Sequence, residues 1–298
     1  MELLPIEIVN EILLVVDRPS LYYTAQVCVQ WRYLSLKQVK TLNQPKDFYK
    51  ACKQGDRLSV IKYKLNARGD FFNRLFEGAC RGGHKGLAEL MITKGANNWL
   101  TGLYYACQSG HKDIVELIMT KSAGRWDLGL SGACKGGHKD LVELMIAKGA
   151  KNWDGGLRSS CYRGHKDVVE LMITKGADAW NEGLKWACRG GHKEVAELMI
   201  VKGANDWNDG LWGACRGGSK NLAEFMIAKG ANNWNGGLRG GCEGGHKDLV
   251  ELMIAKGANN WNIGLDIACY RGHKTLVDLM ILKGADSCIC FKSILNHQ

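Results

Sequence analysis

Cysteine recurs every 27 residues along most of this chain: Cys80, Cys107, Cys134, Cys161, Cys188, Cys215, Cys242 and Cys269, with no insertion between them. Tryptophan keeps the same interval at Trp99, Trp126, Trp153, Trp180, Trp207, Trp234 and Trp261. The fifteen residues GGHKDLVELMIAKGA stand unchanged at 136–150 and at 244–258, four intervals apart. A single globule surrounds each of its residues differently, so it has no reason to repeat its text. A strict period of this length points to an array of stacked supersecondary units. Each unit then buries its apolar face only against its neighbours.

Residues 128–154 read as one such unit. A short first segment over 130–135 ends at Gly136 and Gly137, and glycine there supplies a left-handed helix stop. A second segment over 139–148 carries Leu141, Val142, Leu144, Met145 and Ile146 at i, i+3, i+4 spacing, which predicts one buried helical face. Asp140 sits in the first turn and Lys148 in the last, each matched to the helix dipole. Gly149 ends the segment, and Lys139 and Glu143 form an exposed i, i+4 pair.

GHKDLVELMIAKGA resembles the second-helix half of an ankyrin repeat, and the recurrent GLxxAC resembles its first-helix half. The resemblance covers eight copies over residues 71–287. It implies an all-α, ankyrin-like α-solenoid of about nine helix-pair repeats. Three features depart from the ankyrin pattern: the period is shorter than the usual ~33 residues, the T-P-L-H start is missing, and the array holds no proline. The missing residues fall where ankyrin repeats carry a projecting hairpin, so trimmed loops are expected, with tryptophan filling the gap between neighbouring loops. A degenerate capping unit is expected over 46–70, where Cys52 precedes Cys80 by 28 residues. A C-terminal cap or tail is expected over 288–298.

All three prolines, Pro5, Pro19 and Pro45, precede the array, which places a boundary near residue 45. Residues 1–45 predict a small helical unit: Ile8, Ile12, Leu13 and Val16 fit helical spacing, and Pro19 breaks it. Leu4, Pro5 and Glu7, then Ile8, Ile12 and Leu13, then Val27, Cys28 and Trp31, with Leu34 after them, resemble an F-box. That resemblance implies that these ten residues bind the adaptor subunit of a cullin–RING ubiquitin ligase of the SCF type. The following domain would then recruit an unknown target protein. An F-box ahead of ankyrin repeats is similar to proteins encoded by large DNA viruses.

No run reaches the ~18 apolar residues of a membrane span. The acidic start, with Glu2, Glu7 and Glu11, lacks the basic flank of a secretory signal. A soluble, intracellular, cytoplasmic monomer is expected, with its twelve cysteines mostly reduced. The net charge is +10, of which residues 1–50 hold +1 (six Lys/Arg against five Asp/Glu). The array therefore carries +9 without any basic run. This excess suits an acidic partner or nucleic acid, and composition alone does not choose.

Cysteine and histidine stand four apart in most copies, which invites a metal reading. Two ligands per unit leave a zinc shell unfilled, and Ser219 replaces histidine in one copy. Cysteine as a small apolar packing residue explains the pattern better, with histidine satisfying carbonyls of its own loop. No metal or cofactor is expected. The recurrent tryptophans read as packing between repeats rather than as a stacking platform for bases. No phosphate loop or nucleophile elbow is present, so no enzyme is expected.

Scaffold residues repeat because packing repeats, so contact residues belong at the positions that vary. Those positions lie around each Ala-Cys pair: Tyr104, Tyr105, Arg158, Tyr162, Lys185, Trp186, Arg189, Trp212, Arg216, Arg239 and Tyr270. Tyrosine, tryptophan and arginine are the types enriched at binding hot spots. The ankyrin resemblance implies that the first helices line a concave, target-binding face. Three readings stay open: a ligase substrate-recruiting subunit, an interaction scaffold whose first helices merely cap the array, and nucleic-acid binding by the basic array.

Overall fold

The structure is a computed structural model that describes residues 50, 53–54, 69–121 and 124–286. The ten expected adaptor-binding residues, from Leu4 to Leu34, lie outside the described residues, as do most of 46–70 and all of 288–298. The described residues form sixteen helices and no strand. In chain order these are α1 (Gly69–Gly82), α2 (Lys85–Thr93), α3 (Trp99–Ser109), α4 (Lys112–Met119), α5 (Trp126–Gly136), α6 (Lys139–Ala147), α7 (Trp153–Arg163) and α8 (Lys166–Thr174). There follow α9 (Trp180–Gly190), α10 (Lys193–Lys202), α11 (Trp207–Gly217), α12 (Lys220–Ala228), α13 (Trp234–Gly244), α14 (Lys247–Ala255), α15 (Trp261–Arg271) and α16 (Lys274–Leu282). This is an α-solenoid of repeated helix pairs with short loops, as the period predicts. Among the described residues, no helix is long and apolar enough to cross a membrane.

The described residues divide into two compact units, one running up to residue 133 and including 144–150, the other holding 134–143 and the residues from 151 onward. In the second unit, first helices of successive repeats pack directly on one another, from α7 through α15.

Local sequence explains each helix end. From α3 onward the first helices begin at the repeating tryptophan, and in several an Asn or Asp just before it caps the helix. The side chains of Asn152, Asp206 and Asn233 accept from the backbone N–H of Gly155, Asp209 and Gly236. The helix stops read from the sequence are left-handed glycines, with φ of +77° at Gly137 and +106° at Gly149. Lys148 falls one residue beyond the end of α6, rather than in its last turn.

The core differs in one respect from the expected second-helix face. Leu141, Val142 and Met145 are buried, but Leu144 and Ile146 are only half-buried. The same split holds for Val168, Val169 and Met172 against Leu171 and Ile173. In the second unit the repeats meet mainly through their first helices, so the flanks of the second helices stay partly open.

Within a pair, the helices meet at a glycine of the first and a methionine of the second. A Cβ on Gly156, Gly183 or Gly210 would stand 2.5–2.6 Å from the sulfur of Met172, Met199 or Met226. Cysteine fills the neighbouring slot. Cys80, Cys107, Cys134, Cys161, Cys188, Cys215 and Cys242 are free and buried, and Cys134 Sγ lies 3.8 Å from Met172 Sδ. Burial pushes the thiols of Cys107, Cys161 and Cys188 up to about 12, so they stay protonated and unreactive.

Two polar ties join successive repeats. The residue after tryptophan reaches across the next loop: Asn208 Oδ1 accepts from Asn232 N–H at 2.9 Å and Asn233 N–H at 2.8 Å. Asp154, Asn181 and Asn235 do the same one repeat apart. The second tie is histidine, and here the expectation is corrected. His165 Nε2 lies 3.2 Å from the carbonyl of Lys135, and His84 Nε2 lies 3.0 Å from that of Lys53. Each histidine therefore reaches the preceding repeat, not its own loop. Its ring also lies beside that repeat's left-handed glycine, as His165 does at Gly137 and His246 at Gly218. The recurrent tryptophans are half-buried. Trp99 meets Phe76 edge-on at 5.6 Å, and Trp207 lies beneath the loop glycine Gly230.

Candidate binding face

The variable positions next to each cysteine are carried on the first helices. Because these helices pack directly on one another in the second unit, residues one repeat apart become lateral neighbours. Seven of the eleven expected contact residues come together there.

Tyr162 on α7 meets Trp186 on α9 edge-on, with centroids 5.8 Å apart. The Arg189 guanidinium lies over both rings, 4.8 Å from Trp186 and 5.4 Å from Tyr162. Trp186 Nε1 donates to Glu182 at 3.0 Å, which fixes the indole plane. On the next repeat, Trp212 is flanked by two cations: Lys185 Nζ at 4.9 Å and Arg216 at 5.0 Å. Lys185 also donates to Asp209 at 2.9 Å. Arg216 pairs with Glu243 at 2.6 Å, and Arg239 Nε donates to the other oxygen of Glu243 at 3.0 Å. Tyr162, Trp186 and Arg189 thus form one cluster and Trp212, Arg216, Glu243 and Arg239 a second; Lys185, which flanks Trp212 and lies 3.9 Å from Glu182, joins the two into a ladder of rings and charges. Cation–ring contacts hold guanidinium planes in place at little entropic cost.

Electrostatics concentrate at Arg216. Its side chain is 23% exposed, and its partner Glu243 is only 9% exposed. Burial lowers the pKa of Arg216, nearby Arg189 lowers it further, and Glu243 opposes both. Beside this pair opens a pocket of about 370 Å³ lined by Tyr162, Arg189, Arg216, Glu243, Arg271 and the backbone of Gly217 and Gly244.

The remaining expected residues lie elsewhere. Tyr104 and Tyr105 belong to the first unit, where their rings meet edge-on at 5.1 Å and Arg81 lies over Tyr105. Arg158 is exposed on α7. Tyr270 is 62% exposed on α15, with Arg271 over its ring at 5.6 Å. Arg271, Asp209 and Glu182 were not among the expected contact residues. Arg271 had a signal: it stands two places after cysteine, a slot that glycine holds in most copies. The two acids had none, because first-turn carboxylates are ordinary helix residues.

Fold and face define a helix-pair repeat protein with a basic, aromatic first-helix surface. No family model matches the chain, and no curated protein does. Among solved structures it is similar to the crystal structure of the human ASB11 ankyrin repeat domain, with a TM-score of 0.39 and 24% identity over 53% of this chain and 83% of that one.

Proposed function

We propose that this protein binds other proteins, gripping a target on the first-helix face of its array. The observation that carries the reading is the ladder from Tyr162 to Arg239. Its members occupy slots that differ from copy to copy, yet they assemble into one surface of the residue types that dominate binding energy. The F-box resemblance of residues 1–45 supports a finer role, substrate recruitment to an SCF-type ubiquitin ligase. The adaptor-binding residues would be Leu4, Pro5, Glu7, Ile8, Ile12, Leu13, Val27, Cys28, Trp31 and Leu34. Catalysis would then belong to other subunits, and this chain would raise the local concentration of target. The same order of modules resembles viral proteins that redirect host ligases.

Two comparisons test the two halves of the proposal. Affinity purification with mass spectrometry, comparing the native chain with Trp186→Ala/Trp212→Ala, should show targets lost with the tryptophans. Unchanged targets would remove the face from the account. Co-purification with the adaptor should survive that pair and fail in Leu4→Ala/Pro5→Ala and in Trp31→Ala. A native chain that brings down no adaptor reduces the protein to an interaction scaffold, in which residues 1–40 serve stability alone.

A further inference from the structure

The pocket at the centre of the ladder has more positive charge than its own residues neutralise. Three arginines line it, Arg189, Arg216 and Arg271, against one carboxylate, Glu243, so its formal balance is 3 − 1 = +2. Glu243 is already committed twice, to Arg216 at 2.6 Å and to Arg239 at 3.0 Å. Among the described residues, no carboxylate pairs with Arg189 or Arg271. The Arg189 guanidinium is braced between two aromatic faces, which presents its edge in a fixed direction.

We infer that this pocket binds a phosphorylated side chain of the target protein. The inference rests on the protein-binding reading above and names the chemistry of the partner. A phosphomonoester carries roughly −1.5 to −2 charge near neutral pH and three acceptor oxygens. That matches a +2 pocket with several guanidinium donors, whereas a single carboxylate would leave half the charge unmet. Arginine clusters are a recurrent way of reading phosphorylated segments, because the planar fork meets two oxygens at once. The backbone of Gly217 and Gly244 completes the lining. The low exposure of Arg216 adds to the demand for an anion, since burial makes its charge harder to hold.

A nucleic-acid strand fits this surface less well. It spreads single charges along its length, whereas the excess positive charge here gathers in one pocket.

The test uses the full chain against an array of matched nonapeptides, each present with and without a phosphate on Ser, Thr or Tyr. The best pair is then measured by fluorescence polarisation. The phosphorylated form should bind at least tenfold more tightly than its twin. Arg189→Gln/Arg271→Gln should lose at least tenfold of that affinity while its circular dichroism and melting stay unchanged. Glu243→Gln, which raises the pocket's charge by one, should move the other way, at least threefold tighter. The inference is overturned if the twins bind within twofold of each other, if the double variant keeps the preference, or if Glu243→Gln weakens binding. It is also overturned if a single-stranded oligonucleotide binds more tightly than the best phosphopeptide and depends on the same two arginines. A target that depends on Trp186 and Trp212 yet still binds after phosphatase treatment would sink this inference alone. A target indifferent to both tryptophans would sink the protein-binding reading itself.

Discussion

Gly213→Ala sets helix propensity against packing, and the structure says which wins. Gly213 lies in the middle of α11, where alanine normally stabilises a helix by about 1 kcal/mol. A Cβ there would fall well inside contact distance of the Lys185 carbonyl oxygen and 3.3 Å from the Arg189 amide nitrogen, both on α9. These are backbone atoms of a neighbouring helix, so no side chain can swing aside. Restoring an ordinary carbon–oxygen separation of about 3.3 Å requires α9 and α11 to part by roughly 1 Å. Overpacking of this kind costs about 1–3 kcal/mol, and parting the helices also loosens the contacts around Leu184 and Leu211. Against the propensity gain, the net expectation is a loss of about 1–2 kcal/mol. The control is Ser159→Ala, at the same slot of α7, where a Cβ is already present; it loses the hydroxyl bond to the Gly155 carbonyl at 3.0 Å, which the gain in helix propensity largely offsets, so the expected change stays below about 0.5 kcal/mol. Urea unfolding followed by circular dichroism reads both. An array need not unfold in two states, so melting midpoints should be compared as well. A Gly213→Ala chain more stable than the native one would refute the claim that close approach of first helices sets the repeat spacing.

Other predictions follow from the ties between repeats. Ser219 replaces the recurrent histidine, and Gly191, the glycine its ring would cover, has nothing near it. Ser219→His should reach the Arg189 carbonyl as His165 reaches that of Lys135, raising stability by about 1 kcal/mol; a lower melting midpoint would contradict the histidine tie. Asn208→Ala removes the acceptor of two loop N–H groups and should cost about 1 kcal/mol, with Asn208→Asp largely retaining stability, as Asp154 does at that slot. The buried thiols make stability fall in alkali. Their ordinary value of 9.0 is raised to about 12 by folding, so their contribution is intact below about pH 9 and declines as pH climbs towards 12. Melting measured between pH 8 and 11 should show a shallower decline in Cys161→Ala/Cys188→Ala than in the native chain.

Much of the fold was legible because a strict period imposes one environment on each slot. Helix pairs, glycine stops, short loops and buried cysteines all follow from residues within one copy. The features that were not legible are those that cross between copies. Histidine reads as a cap for its own loop until the rise between repeats places Lys135 within reach of His165. Asn208 reads as a loop residue until its side chain is seen to hold the next loop. Leu144 and Ile146 carry the right pattern for burial, but their exposure depends on how far apart the second helices stand. At the candidate face, the variable slots singled out Tyr162, Trp186, Arg189, Trp212 and Arg216 as expected contact residues, and these lie together on neighbouring first helices. The pairing of Glu243 with both Arg216 and Arg239 required the lateral distance between helices.

That lateral distance is itself written into one slot, two places before the cysteine. Glycine holds it at Gly132, Gly213 and Gly240, where a Cβ would run into the backbone of the preceding first helix, whereas Trp186 and Ile267 hold it in other copies. Gly240 places α13 against the carbonyl of Trp212, and the same approach brings Glu243 to Arg216. A residue that looks like scaffold therefore sets the geometry of the candidate site. Gly240→Ala should cost about 1–2 kcal/mol of stability and also weaken target binding, because parting α11 and α13 spreads the pocket that Arg216, Gly217 and Gly244 line. Gly132→Ala meets a comparable obstacle, the carbonyl of Tyr104, but lies in the other unit. It should lower stability to a similar degree and leave binding through Trp186 and Arg216 intact. Measured side by side for melting and for target affinity, the two variants separate spacing at the site from stability in general. If both lose binding in proportion to their stability, the slot does not tune the face and the glycines at 213 and 240 serve packing alone.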